Sequence, residues 1–328
     1  MKVTYYQRRP TSAQHSIERV FDDIRGSLPE TIRFRVITCR YNRGILGRLC
    51  DAIAAAFRQG DINHITGDVH YLAPLLKRRR TVLTVHDCVS LHRLSGWRRA
   101  IFKFFWYDLP VARCGAVVSV SQSAADELAS LIPRAAGKIR IIHNPVSRDF
   151  SYSPKVFNSK CPRILHLGVQ PNKNLPRLIQ ALSGIPCHLE VIGKLPGDMI
   201  AALQRCSIHY SCASGLTNAE VVQKYRDCDL VAFVSTYEGF GLPIIEAHAT
   251  GRAVVTSNIG SMKEIAGDAA ILVDPLDVES IRAGILDVIE GEEIRKLLVQ
   301  RGLENAKQFK PEVIAARYAS IYEELAAQ

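Results

Sequence analysis

Two glutamates, Glu238 and Glu246, flank a glycine-containing loop with seven residues between them, in Ser235-Thr-Tyr-Glu238-Gly-Phe-Gly-Leu-Pro243-Ile-Ile-Glu246. A carboxylate can accept two hydroxyl hydrogen bonds at once, and charged acceptors make the stronger bonds. The apolar run at residues 230–234 reads as a buried strand. Gly239 and Gly241 break that pattern, and Pro243 is a residue favoured where a helix begins. Strand, glycine loop and helix start together aim backbone N–H groups and a positive helix end at one point, where an anion binds. One glutamate precedes the glycines and the other is expected on the first turn of the helix. The expected ligand is both phosphorylated and hydroxyl-rich.

Other candidates also follow strands. His86-Asp87 comes directly after the run at 81–85. There a histidine can donate to a substrate hydroxyl or stabilise developing charge; alternatively Asp87 caps the next helix and His86 is structural. Gly168-Val-Gln-Pro-Asn-Lys173-Asn174 follows the run at 164–167. Asn174 suits a helix N-cap, and Lys173 would add a full charge beside the helix's positive end. Asp227-Cys-Asp229 looks like a metal-holding pair, but it precedes its strand, so helix termination and strand entry explain it better. The stretch 97–107, Trp-Arg-Arg-Ala-Ile-Phe-Lys-Phe-Phe-Trp-Tyr, would place Trp97, Ile101, Phe104 and Phe105 on one helical stripe beside Arg98, Arg99 and Lys103. Such a helix either lies in a membrane interface or packs on a core with a solvated basic face. The run Lys77-Arg-Arg-Arg80 could help engage lipid phosphate.

These residues need a scaffold, and the chain is long enough to supply two. Its 328 residues give a prior of two domains. An apolar fraction of 47% and a charged fraction of 23% are ordinary for a globular protein. No apolar run approaches the ~20 residues that span a bilayer. The N-terminus reads as a strand start and not as a signal peptide. The nine cysteines form no C-x-x-C pair, which points to reduced thiols in a cytoplasmic setting. Residues 1–150 carry 24 Lys and Arg against 12 Asp and Glu, a net +12 in a chain of +10 overall. That asymmetry suggests an anionic partner for the first half. Nucleic acid is disfavoured, because no recognition helix or stacking motif accompanies the charge.

Short apolar, β-branched runs recur at 3–6, 33–38, 62–65, 82–85, 116–120 and 139–142, then at 164–167, 189–192, 230–234, 253–256 and 270–273. Strands alternating with helices predict parallel sheets covered on both faces, with ligands at the strands' carboxyl ends. Residues 150–162 lack periodicity, contain two prolines and read as the interdomain linker. The expected domains are 1–150 and 151–310. A final amphipathic helix, 311–328, carries Ile314, Tyr318, Ile321, Tyr322 and Leu325 on one stripe.

With Glu238-Gly-Phe-Gly-Leu-Pro243 through Glu246 in view, the chain resembles the family 4 glycosyltransferases, retaining enzymes of the GT-B fold. Supporting matches are Val85-His86-Asp87, Val118-Ser-Val-Ser121, Ile141-Ile-His-Asn144-Pro145, Lys173-Asn174-Leu175, Tyr225-Arg-Asp-Cys-Asp229 and Ala270-Ile-Leu-Val-Asp274-Pro275. The resemblance implies an α/β fold of two Rossmann-like domains whose parallel sheets face a central cleft, with the last helix returning to the first domain. It implies that Glu246 binds the donor ribose, and that Glu238 with the backbone of Phe240, Gly241 and Leu242 holds the transferred sugar and its phosphate. Gly168 and Lys173 would serve the diphosphate, Leu216 would lie near the base, and His86 would touch the sugar near its reacting carbon.

Two departures stand out. Val169 occupies a position where the family often has arginine, and the loop Arg8-Arg-Pro-Thr-Ser-Ala-Gln-His15 lacks the family's glycine pair. The expected function is metal-independent sugar transfer, with a nucleotide-sugar as co-substrate and no resident cofactor. The expected acceptor is a lipid-linked or cell-surface glycan at the cytoplasmic membrane face, the basic first domain meeting an anionic surface. A sugar-nucleotide hydrolase or epimerase, and a non-catalytic binding module, are the alternatives.

Overall fold

The computed structural model describes residues 1–9, 16–41 and 44–328, Ser16 by its backbone alone. The chain divides into two compact units, Met1–Pro145 with Pro311–Gln328, and Val146–Lys310.

The first unit is built on a six-stranded sheet of β1 (Lys2–Gln7), β2 (Arg33–Thr38), β3 (Ile62–Ile65), β4 (Thr81–Val85), β5 (Ala116–Ser119) and β6 (Ile139–Ile141). Their order is β2-β1-β3-β4-β5-β6, and every pairing is parallel. The interior strands β3, β4 and β5 are buried along their whole length, which is why they read as continuous apolar runs. Strand β2 lies at an edge, and its Arg33 and Arg35 discourage pairing with another chain. The helix Pro311–Ala327 belongs to this unit and buries all five residues of the expected stripe. Its Tyr322 hydroxyl lies 2.6 Å from His64 Nδ1 and 2.9 Å from the Tyr5 hydroxyl, while His64 Nε2 lies 2.8 Å from Thr84 Oγ1. This buried polar set ties the end of the chain to β1, β3 and β4.

The second unit carries β7 (Arg163–Leu167), β8 (His188–Ile192), β9 (His209–Ala213), β10 (Leu230–Phe233), β11 (Ala253–Ser257) and β12 (Ile271–Val273). The order is β12-β11-β10-β7-β8-β9, again wholly parallel. From β7 the chain winds outward through β8 and β9, then returns to place β10 on the other side of β7. The strand order therefore reverses between β7 and β10, and the crevice outside their carboxyl ends is where such sheets hold ligands.

Strand β9 has no counterpart in the apolar runs. It is an edge strand whose residues, His-Tyr-Ser-Cys-Ala, are half-buried or exposed, so the sequence carries no hydrophobic signal there. The unit boundary falls between Pro145 and Val146 rather than at residue 150. Residues 150–162 are a strap on the second unit and not a free linker. Phe150 is buried edge-on to Tyr225, the Ser153 N–H reaches Thr250 O, and Arg295 lies 4.2 Å over the Phe157 ring. Asp229 anchors the strap at the amino end of β10. It pairs with Lys155 and accepts the N–H groups of Asn158 and Arg163.

Buried neutral histidines give the fold an acid limit. His248 Nε2–H donates to Ala269 O at 3.1 Å and Nδ1 accepts from Asn305 Nδ2, so both nitrogens are matched to the neutral ring. Burial pushes His166 and His248 down to about 4, and His64 also lies well below the usual range. The unfolded chain takes these protons near pH 6.5, so below that pH it binds more protons than the folded chain and stability falls with falling pH. His248 alone accounts for on the order of 2–3 kcal/mol between pH 7 and pH 4. Calorimetric Tm is expected to decline steadily from pH 7 to pH 5; a flat or rising profile would contradict this placement of the histidines.

Candidate functional site

The loops after β7 and β10 meet at the strand-order reversal, and their residues bond to one another. Gly168 ends β7 with φ +91°, and a Cβ there would lie 2.8 Å from Gln170 Oε1 and 2.9 Å from Lys173 Cγ. Only glycine lets the chain turn and keeps the Lys173 stem in place. Asn172 O accepts the Thr236 N–H, and Asn172 Nδ2 donates to Tyr237 O and, at 3.3 Å, to Glu238 Oε1. Lys173 Nζ lies 2.7 Å from Glu238 Oε1 and 4.8 Å from the centre of the Phe233 ring. The two sequence-predicted charges therefore form a partly buried ion pair.

Asn174 precedes the helix Leu175–Ala181, but its side chain does not cap it. The residue is left-handed, with φ 61°. Its amide donates to Val234 O and Pro275 O, and its Oδ1 accepts from Arg177. It braces the β7 loop against the chain beyond β10 and β12.

After β10, Gly241 takes φ +121° and the helix Leu242–Thr250 begins, with Pro243 in its first turn. Gly241 and Leu242 stand at that N-terminus, so their backbone faces the positive helix end. Phe240 has its ring buried against Phe309, centroids 6.0 Å apart. Ser261 Oγ–H donates to Glu238 O at 2.7 Å and pins the loop. Glu246 lies on the second turn of the helix and not the first, because the helix starts at Leu242. It is 7% exposed, and the buried Tyr225 hydroxyl donates to its Oε2 at 2.6 Å. Asn172 and Ser261 carry no signal of their own in the sequence, and Tyr225 enters it only as the first residue of the match Tyr225-Arg-Asp-Cys-Asp229, with no role attached. Tyr225 sits at helical spacing among core residues, and the other two act through loop backbone.

Leu216 follows β9 and is half-buried beside Gly215, with φ +70°, just ahead of the helix Asn218–Asp227. Thr217 and Glu220 form a capping box on that helix, which fixes the chain around Leu216. Val169 is partly buried and packs against the core: a Cβ on Gly193 would come within 2.9 Å of Val169 Cγ1. Lys173 and the helix N-terminus are thus the positive groups that the β7 and β10 loops set beside Glu238.

His86 stands on the first unit, at the end of β4. Its Nε2–H donates to Thr66 O at 2.8 Å, and burial lowers its pKa from the ordinary value. A carbonyl only accepts, so Nε2 holds the proton and Nδ1 of the neutral ring is an acceptor. The expected donation to a substrate hydroxyl is not available from Nε2, which Thr66 O takes, and Nδ1 is left with an acceptor lone pair. Asp87 Oδ1 accepts the Val89 N–H at the start of the short helix Val89–His92. Of the loop Arg8–His15, residues 10–15 lie outside the described residues. Arg8 pairs with Glu18 at 2.9 Å and Asp68 at 2.6 Å. Among the described residues no group of three or more His, Cys, Asp or Glu could hold a metal ion.

Comparison with known proteins follows this geometry. The family model described as "Glycosyl transferases group 1" matches residues 149–305, and "Glycosyltransferase Family 4" matches residues 10–150. The serotype-specific mannosyltransferase WbdA of Escherichia coli is 28% identical over 259 residues, 70% of this chain and 32% of that protein. This chain thus spans about a third of the length of that relative. The O-antigen chain mannosyltransferase RfbU of Salmonella typhimurium is 26% identical over 230 residues, 67% of this chain and 63% of its own. The crystal structure of Anabaena HepE in complex with UDP and glucose matches with a TM-score of 0.80 at 17% identity, covering 99% of this chain and 100% of that one. That likeness carries the fold, which is the GT-B form of α/β architecture.

Proposed function

The chain belongs to the group 1 glycosyltransferases, and from that premise we propose that it moves a hexose from a nucleotide-sugar to a glycan acceptor with retention of anomeric configuration. The observation that carries this reading is the Lys173–Glu238 pair, set where the strand order reverses and beside the N-terminus of the helix that bears Glu246. A cation, a helix end and two carboxylates match a diphosphate flanked by two polyols, a ribose and a sugar. In this reading Glu246 holds the ribose hydroxyls, and Gly168 lets the chain approach the diphosphate. Lys173 and the backbone at Phe240, Gly241 and Leu242 neutralise the charge that develops on the leaving group. Leu216 lies against the base. Glu238 binds the transferred sugar, and His86 Nδ1 accepts a hydrogen bond from one of its hydroxyls.

The relatives' names make mannose the first sugar to test. The acceptor in this reading is a lipid-linked glycan at the cytoplasmic face of the membrane, and the net +12 of residues 1–150 supports an anionic surface as partner. Among the described residues no helix is long and apolar enough to cross a membrane.

The test is release of nucleoside diphosphate from a nucleotide-sugar panel, with and without a lipid-linked glycan fraction. Transfer predicts release that depends on the acceptor and a product heavier by one hexose. Release independent of acceptor would mean hydrolysis instead, and a changed sugar on an intact nucleotide-sugar would mean epimerisation. Because Lys173 and the helix end supply the positive charge, turnover is expected to survive excess EDTA within about twofold. Loss on chelation and recovery with a divalent ion would overturn that assignment.

A further inference from the structure

The helix Ile45–Ala56 is amphipathic in the wrong sense for a soluble surface helix. Its inward face carries Asp51, Ala52 and Ala55, and the Asp51 carboxylate accepts the N–H groups of Arg40 and Tyr41. Its outward face carries Ile45, Leu49 and Ile53, continued by Phe57, four residues apart and so aligned along one side. Ile45 is 85% exposed and Phe57 87%. Helix Gly96–Lys103 and the turn Phe104–Asp108 repeat the pattern: Tyr107 is buried and Phe102 and Trp106 pack on the core, while Trp97, Ile101, Phe104 and Phe105 remain exposed. The two segments are joined by Arg48, whose guanidinium lies 5.0 Å over the Trp106 ring, itself stacked on Phe102.

We propose that these two exposed apolar stripes form one face that seats on an anionic lipid bilayer, the aliphatic and aromatic side chains entering the interface and the neighbouring arginines meeting lipid phosphate. The proposal deepens the lipid-linked acceptor reading above by naming the surface that would hold the enzyme at its substrate. Charge decides between the possible occupants. Arg40, Arg58 and Arg98 are exposed beside these stripes, and residues 1–150 carry a net +12. In a two-fold dimer the same patch meets itself, so these cations would face their own copies. A bilayer rich in acidic lipid supplies the opposite charge and an apolar interior together. Tryptophan and phenylalanine interleaved with arginine suit the headgroup boundary.

The experiment is flotation of the full chain with phosphatidylglycerol-containing and with pure phosphatidylcholine vesicles. The native protein is expected to bind the acidic vesicles at least tenfold better than the neutral ones. The triple variant Leu49→Ser, Ile53→Ser, Phe57→Ser and the charge variant Arg98→Glu, Arg99→Glu should each lose at least tenfold on acidic vesicles. Both should keep the native nucleotide-induced thermal shift, which reports the donor site on the other unit. Bromine-labelled lipid gives a readout in the unaltered protein: it is expected to quench tryptophan fluorescence through Trp97. No binding to acidic vesicles at low salt, no quenching, or a native dimer that the triple variant converts to monomer would each overturn the proposal. Absence of any nucleotide-induced shift with vesicle binding intact would sink the transferase reading and leave this surface standing.

Discussion

Replacing Glu238 by glutamine is expected to lower sugar transfer by about 10²–10³-fold while tightening the binding of free nucleoside diphosphate. The two effects have opposite sign because Glu238 has two relations to its surroundings. Toward a sugar it is a charged hydrogen-bond acceptor, and its amide would be a weaker one. Toward Lys173 it is a counter-ion at 2.7 Å, with the two side chains 16% and 18% exposed. A diphosphate that takes Lys173 must compete with that carboxylate and lie near it. At an effective dielectric of about 20, two like charges some 6 Å apart repel by roughly 2–3 kcal/mol, and solvent at this partly exposed pair reduces that toward about 1 kcal/mol. Removing the charge is therefore expected to tighten nucleoside diphosphate roughly five- to tenfold by calorimetry. The glutamine can still accept from Asn172 Nδ2, so the loop should keep its shape. Weaker diphosphate binding in the variant would show that Glu238 supports Lys173 in its task and does not restrain it.

Glu246→Gln is expected to raise the donor KM about 10–100-fold, with a smaller change in kcat. Glu246 is buried, and the hydroxyl of the fully buried Tyr225 donates to it at 2.6 Å. That bond aims one oxygen of a charged acceptor. Glutamine keeps a carbonyl for Tyr225, so the substitution removes the charge without stranding a buried hydroxyl. Alanine would add about 1–3 kcal/mol of destabilisation for the unsatisfied group. The ribose assignment has a specific signature. Native protein should discriminate against donors lacking a ribose hydroxyl, and the glutamine variant should discriminate much less. Equal discrimination by both proteins would move the ribose contact to another residue.

The sheets were legible because strands buried on both faces must be apolar along their whole length, and parallel sheets consist largely of such strands. Strand β9 escaped for the same reason: at the edge, His209 and Cys212 are exposed and nothing enforces a hydrophobic pattern. The Glu238–Glu246 loop and Lys173 could be placed near one another from their order after strands, but their ion pair could not, since it depends on where the 3₁₀ turn Pro171–Lys173 points the lysine. Asn174 illustrates the limit of local rules. Its type and position fit a cap, yet tertiary bonds to Val234 and Pro275 took the side chain. His86 illustrates another: the sequence places it at a strand end, but only the Thr66 carbonyl fixes which nitrogen carries the proton. The outward stripe of Ile45–Ala56 was hidden because helical periodicity gives the apolar face without saying which way it points, and here Asp51 turned the polar face inward.

The most direct test of the donor site is a thermal-shift panel of UDP-, GDP- and ADP-sugars on the native chain and on Glu246→Gln. A ligand present at a hundred times its Kd stabilises the folded state by about 2.7 kcal/mol, which raises Tm by a few degrees for a chain of this size. The account predicts that at least one nucleotide-sugar shifts the native protein by that amount and, at the same concentration, shifts the variant by about half of it or less. If no nucleotide-sugar shifts the native protein, or if the variant shifts equally, the donor site does not lie at Lys173, Glu238 and Glu246.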